Sequence, residues 1–270
     1  VFFLDADDTI DPDTLSTLYN NAFETKADLI FCDSKWIKNN QNQRLNTFSF
    51  PKDIDISKSE LTTMMQDRLY NPFYMGGLLS FKAKLINRSI ILKNNLVFEE
   101  KLRYLEDEIF IWNILAFAES AKYIRKQFYN YYVHPNINTA VAESLNLGFP
   151  MSKFKIIKSH IQKSFSHRGC SSQTIKNLGN QALIYFIINV LISHSKSILL
   201  GKIGQDEGKK SRRKIIDSIL SDTEVFSALK NYIRSNKESY WIPFAIRFKL
   251  PKLLEFACTK RAEKILKTRK

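Results

Sequence analysis

The sequence predicts an α/β sheet domain followed by a basic, all-helical region, and three observations carry that prediction. Short apolar runs alternate with helical patterns in the order strand, helix, strand, helix, helix, strand over residues 1–146. Beyond about Leu147 the pattern changes to long helices separated by polar turns. Charge divides at nearly the same place, with a net −3 over residues 1–150 and +17 over 151–270, which together give the +14 of the whole. The expected domains are therefore an acidic catalytic one, 1–146, and a basic accessory one, 147–270, that meets something anionic: a membrane surface, nucleic acid or a charged polymer. With 270 residues, 44% of them hydrophobic, the chain can bury a real core, which excludes a disordered protein.

In chain order, Val1 to Leu4 reads as a short buried strand running into Asp5-Ala6-Asp7-Asp8. Asp11-Pro12 supplies a helix N-cap with Pro at the first helical position, and Leu15, Leu18, Tyr19 and Ala22 extend the helix to about Thr25. Ala27 to Cys32 is the next strand, and Lys35 to Phe50, with polar Asn39 to Asn42 at its centre, reads as a hairpin or excursion. Ser57 to Glu60 forms a capping box that opens a helix through Leu69. A Gly pair, Gly76-Gly77, precedes a helix expected around Phe81 to Ile91. Glu106-Asp107-Glu108 begins a strongly apolar helix, and Lys122 to His134, rich in aromatic and β-branched residues, is a strand. Ala182 to Ile192 is the most apolar run, too short for a bilayer before His194 and Lys196 intervene, so a buried bundle helix is expected.

The chemistry lies in two acidic clusters about a hundred residues apart. Carboxylates as close as Asp5, Asp7 and Asp8 repel unless a cation sits between them. At the mouth of a sheet strand, where ligands of open α/β folds bind, a divalent metal carrying a phosphorylated substrate is the natural occupant. Asp5 and Asp7, at i and i+2, suit Mg²⁺ or Mn²⁺, and Asp8 suits a turn or helix cap. Asp107, or alternatively Glu106, suits a general base on an acceptor hydroxyl. The plainer reading of Glu106 to Glu108 is three acids favoured by a helix N-terminus. No dinucleotide fingerprint or P-loop is present, and Cys32, Cys170 and Cys258 lack any CxxC spacing, which fits a reducing cytoplasm.

Phe3 to Leu15, followed by Ala27 to Ile30, resembles the metal-binding segment of family 2 glycosyltransferases, FLDxDDxxxPxxL with a later "ADI" strand. Leu105 to Phe110 is similar to their ED-x-x-F signature, and Tyr131 to Thr139 to the tyrosine-rich strand and segment after it. The matches keep the family's order. The resemblance implies a partial GT-A, Rossmann-like fold that transfers a sugar from a nucleotide-sugar with inversion. It makes Asp5 and Asp7 the DxD pair at donor and metal, Asp107 the base and Glu106 its acceptor-side neighbour. It places Gly76 and Gly77 beside the donor, where the Gly pair would allow close backbone approach. It also implies that nucleotide-binding βα units precede Val1, so the chain is expected to be a fragment without most of the base-and-ribose pocket.

The sequence departs from the family where many members carry Arg after the tyrosine-rich strand; Val133 and His134 stand there, and His134 is the candidate donor-side contact, to phosphate or metal, with a structural His at a strand end as the plainer reading. Two competitors remain. Asp5 to Thr9 satisfies DxDxT, the first motif of haloacid dehalogenase-like phosphatases, and a non-catalytic helical module would bind membrane or nucleic acid through residues 151–270. Residues 239–270 mix aromatic and aliphatic side chains with Lys and Arg, as an amphipathic segment on an anionic membrane does; a helical cap with a solvated basic face is the equal alternative. The expected partners are a nucleotide-sugar, a saccharide or lipid-linked acceptor and the inner face of the plasma membrane, with nucleic acid disfavoured.

Overall fold

A mixed sheet organises the first half of the chain, whose computed structural model describes residues 1–38, 41–45, 48, 50–72, 76–132 and 139–267. Its elements are β1 (Thr9–Ile10), α1 (Thr14–Thr25), β2 (Leu29–Lys38), β3 (Gln41–Leu45), β4 (Ile54–Ser57), α2 (Lys58–Tyr70), β5 (Lys84–Ile86), α3 (Arg88–Lys93), α4 (Glu106–Phe117) and β6 (Ser120–Tyr132). The central pair, β2 and β6, runs parallel. On the outer edge of β6 lie β1 and β4, and on that of β2 lie β3 and β5, all antiparallel. Leu29, Ile30, Phe31 and Cys32 are fully buried, as expected of a strand covered on both faces. Register shifts on either side of Asp33 bring Tyr129 opposite Ser34 and Tyr131 opposite Trp36.

This sheet and its helices form one unit, comprising Val1–Glu99, Leu105–Ile137 and Lys163–Gly169; the second comprises Glu100–Tyr104, Asn138–Gln162 and Cys170–Lys270. The second is helical, with α5 (Thr139–Asn146), most of α6 (Met151–His167), α7 (Ser172–Leu199), α8 (Gln205–Ser221), α9 (Thr223–Leu229), α10 (Trp241–Arg247) and α11 (Pro251–Lys267). Helix α7 is long and apolar enough to cross a membrane, yet 72% of its most apolar window is buried within the protein, the pattern of a core helix. Helices α10 and α11 bury Ile242, Ile246, Leu254 and Ala257, while Trp241, Phe248 and Phe256 remain more than half exposed.

Several local expectations change. Val1 to Leu4 is not a ladder strand: only Phe2 bridges to Leu85, and Val1 and Leu4 are exposed. Helix α1 starts at Thr14 without a side-chain cap, because the Asp11 carboxylate is taken by Lys35 at 2.8 Å and Asn130 at 3.0 Å. The helix expected over Phe81 to Ile91 is instead β5 followed by α3. Ala83 takes a left-handed backbone (φ 56°), Lys84 to Ile86 pair with Phe31 to Leu29, and the Asn87 side chain caps a new helix at the Ser89 N–H. The Ser57–Glu60 capping box of α2 forms as read, and β2 and β3 make the expected hairpin.

Candidate active site

An aromatic cluster brings the two acidic segments together. Phe3, two residues before Asp5, meets Phe81, Phe98 and Phe110 edge-on at ring-centroid distances of 6.0, 6.1 and 5.8 Å. Phe81 adjoins Lys82 in sequence and Phe110 lies one turn beyond Asp107, so packing these rings carries Asp5, Lys82 and Asp107 to one place. The Asp107 carboxyl accordingly feels the charges of both Lys82 and Asp5.

Oxygen atoms of Asp5, Asp7 and Asp8 all lie within 4.8 Å of one another. Their environments differ: Asp7 is exposed, Asp5 half-buried and Asp8 buried. Asp8 closes a turn, as expected above, its N–H donating to the Asp5 carbonyl at 3.1 Å, and its carboxylate is in addition a buried anchor rather than a helix cap. Its Oδ2 accepts from Lys82 Nζ and from the Tyr129 hydroxyl, both at 2.7 Å, and its Oδ1 accepts from the Tyr132 N–H at 3.0 Å. A buried carboxylate needs such partners to offset its lost hydration, and the three donors are contributed by the Lys82 segment and β6. Lys82 Nζ also lies 2.5 Å from Asp5 Oδ2. Burial pulls this ammonium's pKa down, but the hydrogen bonds and charges of Asp5 and Asp8 outweigh it and hold the pKa above the usual lysine value.

The second cluster sits on the first turn of α4, behind Leu105 in a left-handed backbone conformation (φ 71°). Ile109 to Trp112 and Ile114 to Ala116 are buried, so the helix takes its acidic first turn toward the interior. Burial raises the Asp107 carboxyl above its ordinary range, against the Glu108 N–H donated to it at 2.8 Å and the charge of Lys82. Burial likewise raises Glu106, and it pushes Glu108 up to about 7 despite the charge of Arg68 from α2.

Sequence reading missed two lysines: Lys82, in the segment between the Gly pair and β5, and Lys84, the first residue of β5. Lys84, 1% exposed, donates to the carbonyls of Gly77 (2.5 Å) and Ser80, and burial lowers its pKa to about 7. It thereby pins the loop that carries Lys82. Their alternation with Ala83 and Leu85, at period two, was the signal available for a strand. Gly76 and Gly77 line a cavity of about 230 Å³ together with Ser34, Trp36, Lys82 and Tyr131. A Cβ on Gly76 would meet no atom of the protein within 4 Å. His134 lies outside the described residues.

The acidic cluster fits a hard divalent cation. Its ligand atoms are carboxylate oxygens, the donors Mg²⁺ and Mn²⁺ take, and a positive charge, the Lys82 ammonium, already stands against two of the three acids.

No protein-family profile matches the chain. It is similar to an uncharacterised glycosyltransferase of Escherichia coli K12, YibD, at 23% identity over 252 residues, covering 89% of this chain and 66% of that protein. Among solved structures it is similar to S. aureus TarS 1–349 in complex with UDP, with a TM-score of 0.57 at 15% identity, covering 98% of this chain and 66% of that one. The same protein in complex with UDP-GlcNAc gives 0.56, at 15% identity, over 98% and 67%. The chain thus spans about two thirds of the length of the relatives it matches. The fold is therefore that of part of TarS, a mixed α/β sheet with helices followed by a helical region, as the sequence predicts.

Proposed function

We propose that this chain carries the acceptor-activating and metal-binding parts of an inverting glycosyltransferase, which moves a sugar from a nucleotide-diphosphate-sugar onto an acceptor hydroxyl in surface-polysaccharide synthesis of the capsule, lipopolysaccharide or teichoic-acid type. One observation carries the reading: the Phe3–Phe110 ring contact at 5.8 Å joins the acidic segment at Asp5 to the first turn of α4, which bears Asp107. The complexes of TarS with UDP and UDP-GlcNAc support a uridine-type donor.

Asp5 and Asp7 would hold Mg²⁺ or Mn²⁺, which when bound would neutralise the diphosphate leaving group. Asp107 takes the acceptor hydroxyl's proton while that oxygen bonds to the anomeric carbon from the face opposite the diphosphate, whose C–O bond breaks; the configuration inverts. A carboxyl raised by burial is a better proton acceptor than one in water, because its basicity approaches that needed at neutral pH. Glu106 borders the acceptor side. Burial also keeps water from competing with the acceptor.

A screen of nucleotide-sugars, watching nucleoside diphosphate release with added Mn²⁺, tests the reading. Release from at least one donor, lost in Asp7→Asn, is expected; turnover of simple phosphate esters without any nucleotide-sugar requirement would sink it.

The helical region is proposed to rest on an anionic membrane surface on the cytoplasmic side. The exposed Trp241, Phe248 and Phe256, interleaved with Arg247, Lys249, Lys252 and Lys260, support this. Co-sedimentation with phosphatidylglycerol vesicles but not phosphatidylcholine vesicles, reduced by Trp241→Ala with Phe256→Ala, is the expected result; no recovery with phosphatidylglycerol, or equal recovery with both lipids, would refute it.

A further inference from the structure

We infer that Lys82 is a resident counter-cation of the acidic cluster that competes with a divalent metal for Asp5, so that metal is held firmly only when a diphosphate draws the ammonium away. The inference rests on the glycosyltransferase reading and adds a regulation of the same site. Lys82 Nζ is 2.5 Å from Asp5 Oδ2 and 2.7 Å from Asp8 Oδ2. Because the oxygens of Asp5, Asp7 and Asp8 lie within 4.8 Å of one another, a metal on Asp5 and Asp7 would stand close beside the ammonium. Two cations at that separation in a half-buried site repel strongly, and they also compete for the same Asp5 oxygen.

The surroundings let the side chain change partners while its base stays fixed. The Lys82 N–H donates to Ser80 Oγ at 3.1 Å, and Lys84 Nζ reaches the Lys82 carbonyl at 3.5 Å, so the backbone is tied down. Asp8 keeps the Tyr129 hydroxyl and the Tyr132 N–H whether or not Lys82 stays. The ammonium already stands 4.2 Å from the centre of the Tyr131 ring, whose face gives it a second resting place beside the cavity. A lysine suits this movement, being a compact charge on a flexible stem that follows whichever anion is nearest. An incoming diphosphate is such an anion. Metal and diphosphate then bind cooperatively because each removes an obstacle to the other.

The test is calorimetric titration of the full chain, stripped with chelator, with Mn²⁺ alone and with Mn²⁺ in the presence of UDP. Wild type is expected to bind Mn²⁺ weakly alone and at least tenfold more tightly with UDP. Lys82→Met should bind Mn²⁺ alone at least tenfold more tightly than wild type, with little further gain from UDP, while Lys82→Arg stays near wild type. Unchanged or weaker Mn²⁺ binding by Lys82→Met overturns the proposal. If Lys82→Met does not fold in chelator, its melting transition decides: restoration by Mn²⁺ supports the competition, and no restoration overturns it. Absence of UDP binding in every variant would count against the nucleotide-sugar reading, whereas the Mn²⁺-only comparison still judges Lys82.

Discussion

The sheet unit and the helical unit bury their polar groups in opposite ways. In the first, Asp8, Asp33, Arg68 and Lys84 are all less than a tenth exposed, so full charges of both signs are taken into the interior. In the second, among the described residues, the buried polar groups are hydroxyls, amides, His194 and Arg212, with no carboxylate. His194 Nε2 is hydrogen-bonded to Ser211 Oγ at 2.7 Å, and Arg212 donates to Ser195 Oγ and Thr259 Oγ1. Burying ions is costly unless they are paired, and a fold keeps such an arrangement where reactive charge is useful. The contrast supports the proposal that the chemistry belongs to the sheet unit.

Substitutions can break this contrast, the largest effect coming from the sheet unit. Asp8→Ala removes the buried acceptor shared by the Lys82 ammonium, the Tyr129 hydroxyl and the Tyr132 N–H, leaving Lys82 with Asp5 alone, and should cost about 3–5 kcal/mol in urea denaturation, the usual penalty for halving a buried ion pair. A loss under about 1 kcal/mol would mean that these charges are effectively solvated.

In the helical unit the corresponding sensitivity is to acid. Burial, and then the charge of Arg212, lower the His194 pKa to about 4 from an ordinary 6.5. Between those values the unfolded chain binds a proton that the folded chain does not, so stability falls as pH drops through the window, by about 3 kcal/mol in all. Denaturation at pH 7 and pH 4 should show that difference between wild type and His194→Gln; parallel losses in the two would refute it. Smallest of the three, Arg212→Met should change stability by no more than about 1 kcal/mol, because the side chain has only neutral hydroxyl partners among the described residues and an apolar replacement recovers packing. A loss of several kcal/mol would show that the helical unit, too, depends on a buried charge.

The acids were legible in the sequence because their meaning is local: three carboxylates in four residues, and three more at the head of an apolar helix. The order of elements and the Ser57 capping box were legible for the same reason. Lys82 was not, since its partners Asp5 and Asp8 are more than seventy residues away and only the folded sheet reveals them. The apolar spacing from Phe81 to Ile91 also fits a helix, and it hid β5 along with the Lys84 that pins the preceding loop. The turn at Asp8 was legible, but the anchoring of its carboxylate was not, because its three donors are long-range.

The central claim is that Asp107 serves chemistry at the Asp5–Lys82 cluster and is not merely a partner of its own helix. Sugar transfer by Asp107→Asn, measured alongside UDP binding in the same preparation, tests it most directly. Binding within about threefold of wild type with transfer reduced by about 10²–10⁴-fold is the predicted result. Transfer at the wild-type rate with binding intact would contradict it.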